Sequence, residues 1–199
     1  MDGIVLKNKV NVMAEPSVAA SAPEEKKPTS ITTKGGDKRF TDMKGGRIKK
    51  NSPYIKLMGK MDTLQSAVGA YGAGTPSCTD IQAFLYRVMA QLYNLEIDED
   101  YIKTTVRKWT RFTKTVQFGG GFVIPRSPLH LARTFARETE IALIDFVEDC
   151  ETKDAAGEDY PYRVKNIACL LPCFNRLSDY IFALAEYRPQ LDDDITDDD

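Results

Sequence analysis

The chain has 199 residues, of which 42% are hydrophobic, and 27 basic against 29 acidic side chains give a formal net charge of −2. This length and apolar content favour one globular core rather than two. The balanced charge gives no general electrostatic attraction to nucleic acid. No run of about 18 apolar residues occurs, so no transmembrane segment is expected.

The cysteines and histidines limit the metal and redox chemistry that the chain can perform. The four cysteines form neither a CxxC pair nor a dense framework, and His130 is the only histidine. Reduced thiols in an intracellular compartment are therefore favoured over disulfides. Zinc and haem sites usually draw on several Cys or His ligands, so we expect no intrinsic metal site.

The two ends of the chain differ in composition from the region between them. Residues 1–30 lack both the apolar stretch of a secretory signal and the Arg-rich, acid-poor composition of a strong mitochondrial presequence. The last nine residues contain six aspartates, and such a like-charge block is typical of a solvated tail. The predicted organisation is an N-terminal extension over 1–30, a folded region over 31–188 and an acidic tail over 189–199.

The first two predicted helices follow one another closely. Ser52 and the following proline provide a cap and a first helical residue for a helix over 53 to about 72. The second helix is predicted to start at a cap, Thr79 or Asp80, and to end between residues 95 and 97. Apolar residues recur three and four positions apart in both, which indicates packing in a bundle.

Three further helices complete the prediction. The third is predicted to start within 98–100 with an apolar stripe that reaches Val116, and the fourth to cover 127 to about 150. The fifth runs to about Tyr187, with Pro172 either kinking it or marking its effective start. No strand alternation is convincing, so the fold class is all-α, an up-and-down bundle of about five helices.

A loop before the first helix combines glycine, hydroxyl, acidic and lysine side chains. It includes Thr33, Lys34, Gly36, Asp37 and Thr41. Such a loop can turn backbone N–H groups toward phosphate while lysine supplies positive charge. A flexible linker would have much the same composition, and neither standard phosphate-loop motif is present.

Charged residues also occur on helices that are apolar on more than one face. Arg133, Arg137 and Glu140 form a row on the fourth helix, which is either a solvated face or a paired, ligand-binding set at an oligomer interface. Asp62 lies on a second face of the first helix. It makes either a weak surface pair or a charge-assisted bond to Arg133 across a subunit interface.

The motif Asn175-Arg176-Leu177-Ser178-Asp179 resembles the signature of the trimeric ATP:cob(I)alamin adenosyltransferases, which transfer an adenosyl group from ATP to reduced vitamin B12. The similarity covers roughly residues 31–187, and further segments match in the same order. These are Thr33-Lys34, Gly36-Asp37-Lys38 and Thr41; Lys50, Pro53, Gly59, Asp62, Leu64, Ser66 and Gly69; and Leu129 to Thr134 with Arg137 and Glu140.

The resemblance implies a homotrimer with ATP and corrinoid sites between subunits. Asp62 is expected to bridge to Arg133 of a neighbour, and these two are the candidate catalytic residues. The apolar pocket would bind base-off cobalamin, whose Co(I) attacks the 5′ carbon of ATP, and Phe118 and Phe122 are both candidates for the aromatic that faces it. The candidates for binding ATP and Mg²⁺ are Thr33, Lys34, Gly36, Asp37, Thr41, Lys50, Arg137, Glu140 and Asn175.

Five single positions depart from the family pattern, and Gly119-Gly120-Gly121 replaces the Pro-Gly-Gly that precedes the arginine helix in the family. Arg39 replaces a glycine of the phosphate loop, and Thr63 and Gln65 replace a glutamate and an asparagine. Glu138 and Ile141 stand where the family usually has arginines. The loss of positive charge should weaken the attraction for a tetra-anionic nucleotide.

These departures favour a family member that has lost full catalytic activity and serves as a structural or accessory subunit of a larger assembly. The alternatives are an active adenosyltransferase and a nucleotide or corrinoid sensor without turnover. An open pocket near Arg39 and Arg133, beside an intersubunit pair of Asp62 and Arg133, would favour ligand binding, whereas a filled one would favour a scaffold. A mitochondrial location follows from analogy with the eukaryotic enzymes, and a cytoplasmic one is the alternative.

Overall fold

The computed structural model describes residues 36–72 and 75–187. The N-terminal extension over 1–30, the candidates Thr33 and Lys34, and the acidic tail over 189–199 lie outside the described residues. The elements in chain order are β1 (Phe40–Met43), β2 (Gly46–Lys49), α1 (Pro53–Gly72), α2 (Pro76–Asn94), α3 (Glu99–Thr113), α4 (Leu129–Ala155), a short 3₁₀ turn (Ile167–Cys169) and α5 (Leu170–Glu186). Five helices dominate, so the all-α prediction is confirmed.

Helices α1 and α3 begin where their caps predict. The Ser52 hydroxyl accepts a hydrogen bond from the backbone N–H of Ile55 at 3.4 Å, and Pro53 is the first residue of α1. The Asp98 carboxylate accepts one from the N–H of Tyr101 at 3.0 Å. Side-chain acceptors of this kind satisfy N–H groups that have no partner in the first helical turn.

Helix α2 begins earlier than predicted. Its cap is Thr75, which has extended backbone angles, and neither Thr79 nor Asp80 is the cap. Pro76 decides the start because its fixed φ suits the first helical position, where its missing N–H costs no hydrogen bond. The helix ends at Asn94, and Leu95 follows with a left-handed φ of 65°.

Two other boundaries were misplaced by about one turn. Val116 lies beyond the end of α3, and α4 continues past Cys150 to Ala155. The extension of α4 carries an ion pair one turn apart between Lys153 and Asp149, which supports the helix although its residues are polar. Pro172 is the third residue of α5 and marks its effective start, because a first turn does not need that N–H.

Each helix buries one stripe in a shared core. Helix α1 packs against α2 and α4, and α5 packs against α3 and α4. The ring of Phe84 on α2 meets Trp109 of α3 edge-on at 4.8 Å, and Trp109 stacks on Tyr180 of α5 at 5.5 Å. The segment Ile167–Glu186 is apolar enough to span a membrane by length and composition, and half of it is buried in the bundle.

A β-hairpin precedes the bundle, and the sequence did not predict it. Strands β1 and β2 are antiparallel, with Phe40 opposite Lys49 and Met43 opposite Gly46. Only Ile48 of these eight residues is buried, so the apolar alternation that indicates a strand is weak. The hairpin places the loop before it beside the first residues of the bundle.

Candidate functional site

The predicted phosphate loop borders a cleft of 670 Å³ at the open end of the hairpin, called the hairpin cleft below. The backbone N–H of Lys50 donates to the carbonyl of Arg39 at 2.9 Å, which holds the two sides of the cleft together. The structure therefore brings Gly36, Asp37 and Lys50 together as the sequence predicts. Thr41 lies in β1 and does not line the cleft. The lining residues are Gly36, Asp37, Arg39, Phe40, Lys49, Lys50 and Asn51.

Charge and close packing suit this cleft to an anion. Three cationic side chains line it against one acidic side chain, Asp37. A Cβ added to Gly36 would lie 2.8 Å from Cε of Lys50, so the glycine lets the lysine cross close to the backbone. A phosphate group in this cleft would meet the positive charge of Arg39, Lys49 and Lys50.

Arg39 occupies a backbone conformation that favours glycine. Its φ is 67°, in the left-handed region, and its side chain lines the mouth of the cleft. A left-handed conformation costs a non-glycine residue roughly 1–2 kcal/mol because Cβ crowds the following carbonyl oxygen. The strained position agrees with the family pattern, in which a glycine stands there. The cleft nevertheless remains open.

We therefore expect Arg39→Gly to raise the free energy of unfolding by about 0.5–1 kcal/mol, because relief of the left-handed strain exceeds the entropy cost of glycine. Urea unfolding of the purified chain measures the change. Lys38→Gly is the matched control, since Lys38 has no positive φ and glycine there should only destabilise. Equal effects of the two substitutions would contradict the strain at Arg39.

A second cleft, of 460 Å³, contains the arginines of α4 and is called the arginine cleft below. The guanidinium of Arg133 lies 4.9 Å from the ring centroid of Phe182, and Phe118 meets the same ring edge-on at 5.0 Å. Arg137 is exposed and makes no ion pair or hydrogen bond with any residue in 36–72 or 75–187. Two guanidinium groups beside aromatic walls suit a ligand with both an anionic group and a flat apolar part.

The signature motif on α5 forms a chain of hydrogen bonds to α4. The Asn175 side chain donates to Oε1 of Glu140 at 3.0 Å and accepts from Arg176 at 2.7 Å. Arg176 also pairs with Asp179 at 3.0 Å, and Leu177 is fully buried. The motif therefore serves two purposes: one residue packs in the core, and the polar residues orient groups beside the arginine cleft.

Asp62 and Arg133 form no bond with each other in the single chain. Asp62 is exposed on α1 and has no ion pair within the described part of the chain, while Arg133 lies against Phe182. The expected bond joins Asp62 to a neighbouring subunit, and it stays a prediction.

The two clefts lie at different heights along the bundle. Helices α1 and α4 are antiparallel, because Tyr54 contacts Phe146 whereas Lys60 contacts Glu138. Arg133 is thirteen residues before Phe146, which at 1.5 Å per residue separates it by roughly 20 Å from the level at which α1 begins. The hairpin cleft lies just before that level.

An ion pair that sequence reasoning missed joins α1 to α4. Nζ of Lys60 lies 2.6 Å from Oε2 of Glu138, and both side chains are about half exposed. The pair borders a third cleft, of 410 Å³, which also contains Ile141 and Asp145. The two partners are 78 residues apart, so no local spacing could have indicated the contact.

The buried thiols are not reactive groups. Burial raises the pKa of Cys150 and Cys169 to about 11, and it raises that of Cys173 as well. At neutral pH these cysteines are protonated and therefore weak nucleophiles. Within residues 36–72 and 75–187, no three His, Cys, Asp or Glu side chains are grouped closely enough to hold a metal ion.

Comparison with known proteins identifies relatives over most of the chain. The sequence profile of a family described as cobalamin adenosyltransferase matches residues 31–188. The corrinoid adenosyltransferase of Bacillus subtilis (strain 168) is 26% identical over 176 residues, which cover 78% of this chain and 84% of that protein.

Solved structures with the same fold come from Lactobacillus reuteri. A phenylalanine-to-alanine variant of its PduO-type ATP:corrinoid adenosyltransferase, complexed with cobalamin and ATP, matches with a TM-score of 0.55 and 23% identity over 79% of this chain and 92% of that chain. A phenylalanine-to-histidine variant in the same complex gives a TM-score of 0.56 and 24% identity over 79% and 90%. Both likenesses concern the fold.

Proposed function

The chain belongs to the cobalamin adenosyltransferase family, and from this premise we propose that it binds ATP and a corrinoid but has lost full catalytic activity and serves as a structural or accessory subunit of a larger assembly. The ion pair between Lys60 and Glu138 is the observation that carries the proposal. A carboxylate stands where the family pattern has an arginine, and a lysine of the same chain holds it in place. This charge reversal removes a cation from the α1–α4 surface.

Nucleotide binding in this proposal uses both cationic clefts. The hairpin cleft would hold the triphosphate, and Asp37 would supply a protein carboxylate to Mg²⁺, which is usually bound by one or two carboxylates and by substrate phosphates. Arg137 of a second copy would contact the same nucleotide, as in the subunit-interface sites that the family resemblance implies. A homotrimer with Asp62 of one subunit bonded to Arg133 of the next would complete the site.

The aromatic walls of the arginine cleft are the proposed corrinoid surface. Phe118, Phe122 and Phe182 line it together with Arg133. A corrin ring is flat and largely apolar on its faces, so burial against these side chains would favour binding. When bound, reduced cobalamin supplies the nucleophilic cobalt, whereas the residues of this chain bind, orient and exclude water.

The second candidate function is an active ATP:cob(I)alamin adenosyltransferase. The open space in both clefts would admit its two substrates, and the guanidinium of Arg137 is unpaired within the described residues. The candidate binding residues Lys50, Arg137 and Asn175 are all present. The two functions differ in turnover rather than in ligand binding.

One experiment separates the two functions. The purified chain is given ATP, Mg²⁺ and chemically reduced cobalamin, and adenosylcobalamin is followed by absorbance while calorimetry measures ATP binding. We expect measurable ATP binding with little product. We also expect Glu138→Arg to raise ATP affinity by roughly tenfold. The substitution replaces a negative charge by a positive one, and the resulting attraction for the anionic nucleotide is on the order of 1.4 kcal/mol at a partly exposed position.

Asp145→Arg is the matched control, since Asp145 borders the same cleft as Glu138 but matches no arginine of the family pattern. An equal gain from both substitutions would indicate general charge attraction rather than a restored contact. Rapid product formation by the unaltered chain would favour the active enzyme. Absence of both ATP and cobalamin binding would leave only a scaffold.

A further inference from the structure

The turn of the hairpin packs in direct contact with the connection between α4 and α5. A Cβ added to Gly45 would fall on the carbonyl oxygen of Pro161 and lie 2.8 Å from its carbonyl carbon and 3.2 Å from Cδ1 of Leu95. The obstacle is backbone, which cannot rotate away as a side chain can. Gly45 has no positive φ. Its glycine is therefore required for space and not for backbone conformation.

Other contacts hold the same end of the hairpin. Nζ of Lys44 donates to Oδ1 of Asn94 at 3.0 Å, and Ile48 of β2 is buried in the core. A Cβ on Gly46 would lie 3.4 Å from Cβ of Pro161, so the next residue is also in contact distance. The turn is thus fixed against the end of α2 and the α4–α5 connection together.

The hairpin cleft lies at the opposite end of the hairpin from the turn. The ladder runs without a bulge from Met43 opposite Gly46 to Phe40 opposite Lys49. Immediately beyond it, the N–H of Lys50 bonds to the carbonyl of Arg39 at 2.9 Å. Two paired strands of four residues are about 10–13 Å long. Because the ladder connects both ends, a shift of the turn changes the position of the cleft residues relative to the bundle.

We propose that Gly45 is a positioning residue for the triphosphate of ATP: its contact with Pro161 sets where the hairpin holds Arg39 and Lys50. This inference rests on the proposed ATP binding at the hairpin cleft. It adds that the α4–α5 connection, which does not line that cleft, determines the phosphate geometry. Gly45 itself touches no ligand.

The test is Gly45→Ala in the full chain, with ATP and cobalamin affinities measured separately by calorimetry. We expect ATP affinity to fall about tenfold or more, because misplacement of binding groups by about an ångström has effects of that order. Cobalamin affinity should stay unchanged, since its proposed surface lies on α4, α5 and the connection between α3 and α4, which the hairpin turn does not contact. Exchange of the Lys50 amide hydrogen, which is bonded to Arg39, should become faster.

Gly72→Ala is the matched control for a purely structural effect. A Cβ on Gly72 would fall on Sγ of Cys78 and lie 2.6 Å from its Cβ, at the other end of α1. It should lower the melting temperature as Gly45→Ala does, but leave ATP affinity and Lys50 exchange unchanged. Equal losses of ATP affinity in the two variants would overturn the proposal. Unaltered ATP affinity in a folded Gly45→Ala variant would do the same.

The exchange measurement separates this inference from the proposed function. If the unaltered chain binds no ATP, the proposed function fails, and faster Lys50 exchange confined to Gly45→Ala would still support the coupling of turn and cleft. Equal exchange in both variants would overturn it. Should Gly45→Ala not fold, Lys44→Ala removes only the bond to Asn94. This variant should lower ATP affinity and speed Lys50 exchange by about two- to threefold, the effect of one exposed hydrogen bond. If neither quantity changes, the result counts against the proposal.

Discussion

Replacing Arg137 by alanine should weaken ATP binding by roughly 10- to 100-fold, because a hydrogen bond to a charged group contributes about 1.5–3 kcal/mol. Arg137 lines the arginine cleft and has no ion-pair partner in the described chain, so no internal ion pair has to break before it binds phosphate. Calorimetry with Mg-ATP measures the loss. Arg137→Lys keeps the positive charge but loses the planar guanidinium. The ATP affinity of this variant should lie between that of the unaltered chain and that of Arg137→Ala.

Arg107→Ala provides the matched control for Arg137→Ala. Arg107 is also an exposed arginine on a helix and has no ion pair within residues 36–72 and 75–187, but it lies on α3 outside both clefts. Its loss should leave ATP affinity within about twofold, because separated surface charges are largely screened at physiological salt. Equal effects at the two positions would show that only net charge matters and that the arginine cleft is not a nucleotide site.

Phe146→Ala should lower the free energy of unfolding by about 3–5 kcal/mol, the usual cost of deleting a buried aromatic ring. Phe146 is fully buried on α4. Its ring meets Tyr54 of α1 edge-on at 5.5 Å and lies 5.9 Å from Tyr162 of the α4–α5 connection. It therefore joins three parts of the chain at the end of the bundle that carries the hairpin.

Urea unfolding monitored by circular dichroism measures the Phe146→Ala effect. Phe146→Leu keeps most of the apolar volume and should cost less than about 1.5 kcal/mol. Phe122→Ala removes the same ring from a fully exposed position and should change stability by less than about 0.5 kcal/mol. A loss below about 1 kcal/mol in Phe146→Ala would mean that the surrounding rings collapse into the cavity.

The helices were predictable because the signals that define them are local. Ser52 and Pro53 start α1, and Asp98 caps α3, as their sequence neighbours indicate. The errors arose where two local signals competed. At the start of α2 the proline prevailed over a polar cap three residues later, and at the end of α4 the ion pair of Lys153 outweighed a polar composition.

Part of the candidate site could also be predicted. Gly36 and Asp37 are neighbours in the loop that the sequence singled out, but Lys50 reaches them only because the unpredicted hairpin folds back. The row of Arg133 and Arg137 follows from helical spacing alone and borders one cleft. What spacing could not give is the partner of each group, such as Phe182 for Arg133 or Glu140 for Asn175.

The sequence by itself determined the helical class, the approximate helices and the residue types that could bind an anion, because caps, prolines and helical periodicity act over a few residues. Only the tertiary structure decided that Lys60 holds Glu138 and that Gly45 rests on Pro161. These contacts join residues dozens of positions apart. They depend on how the helices pack, which no local pattern specifies.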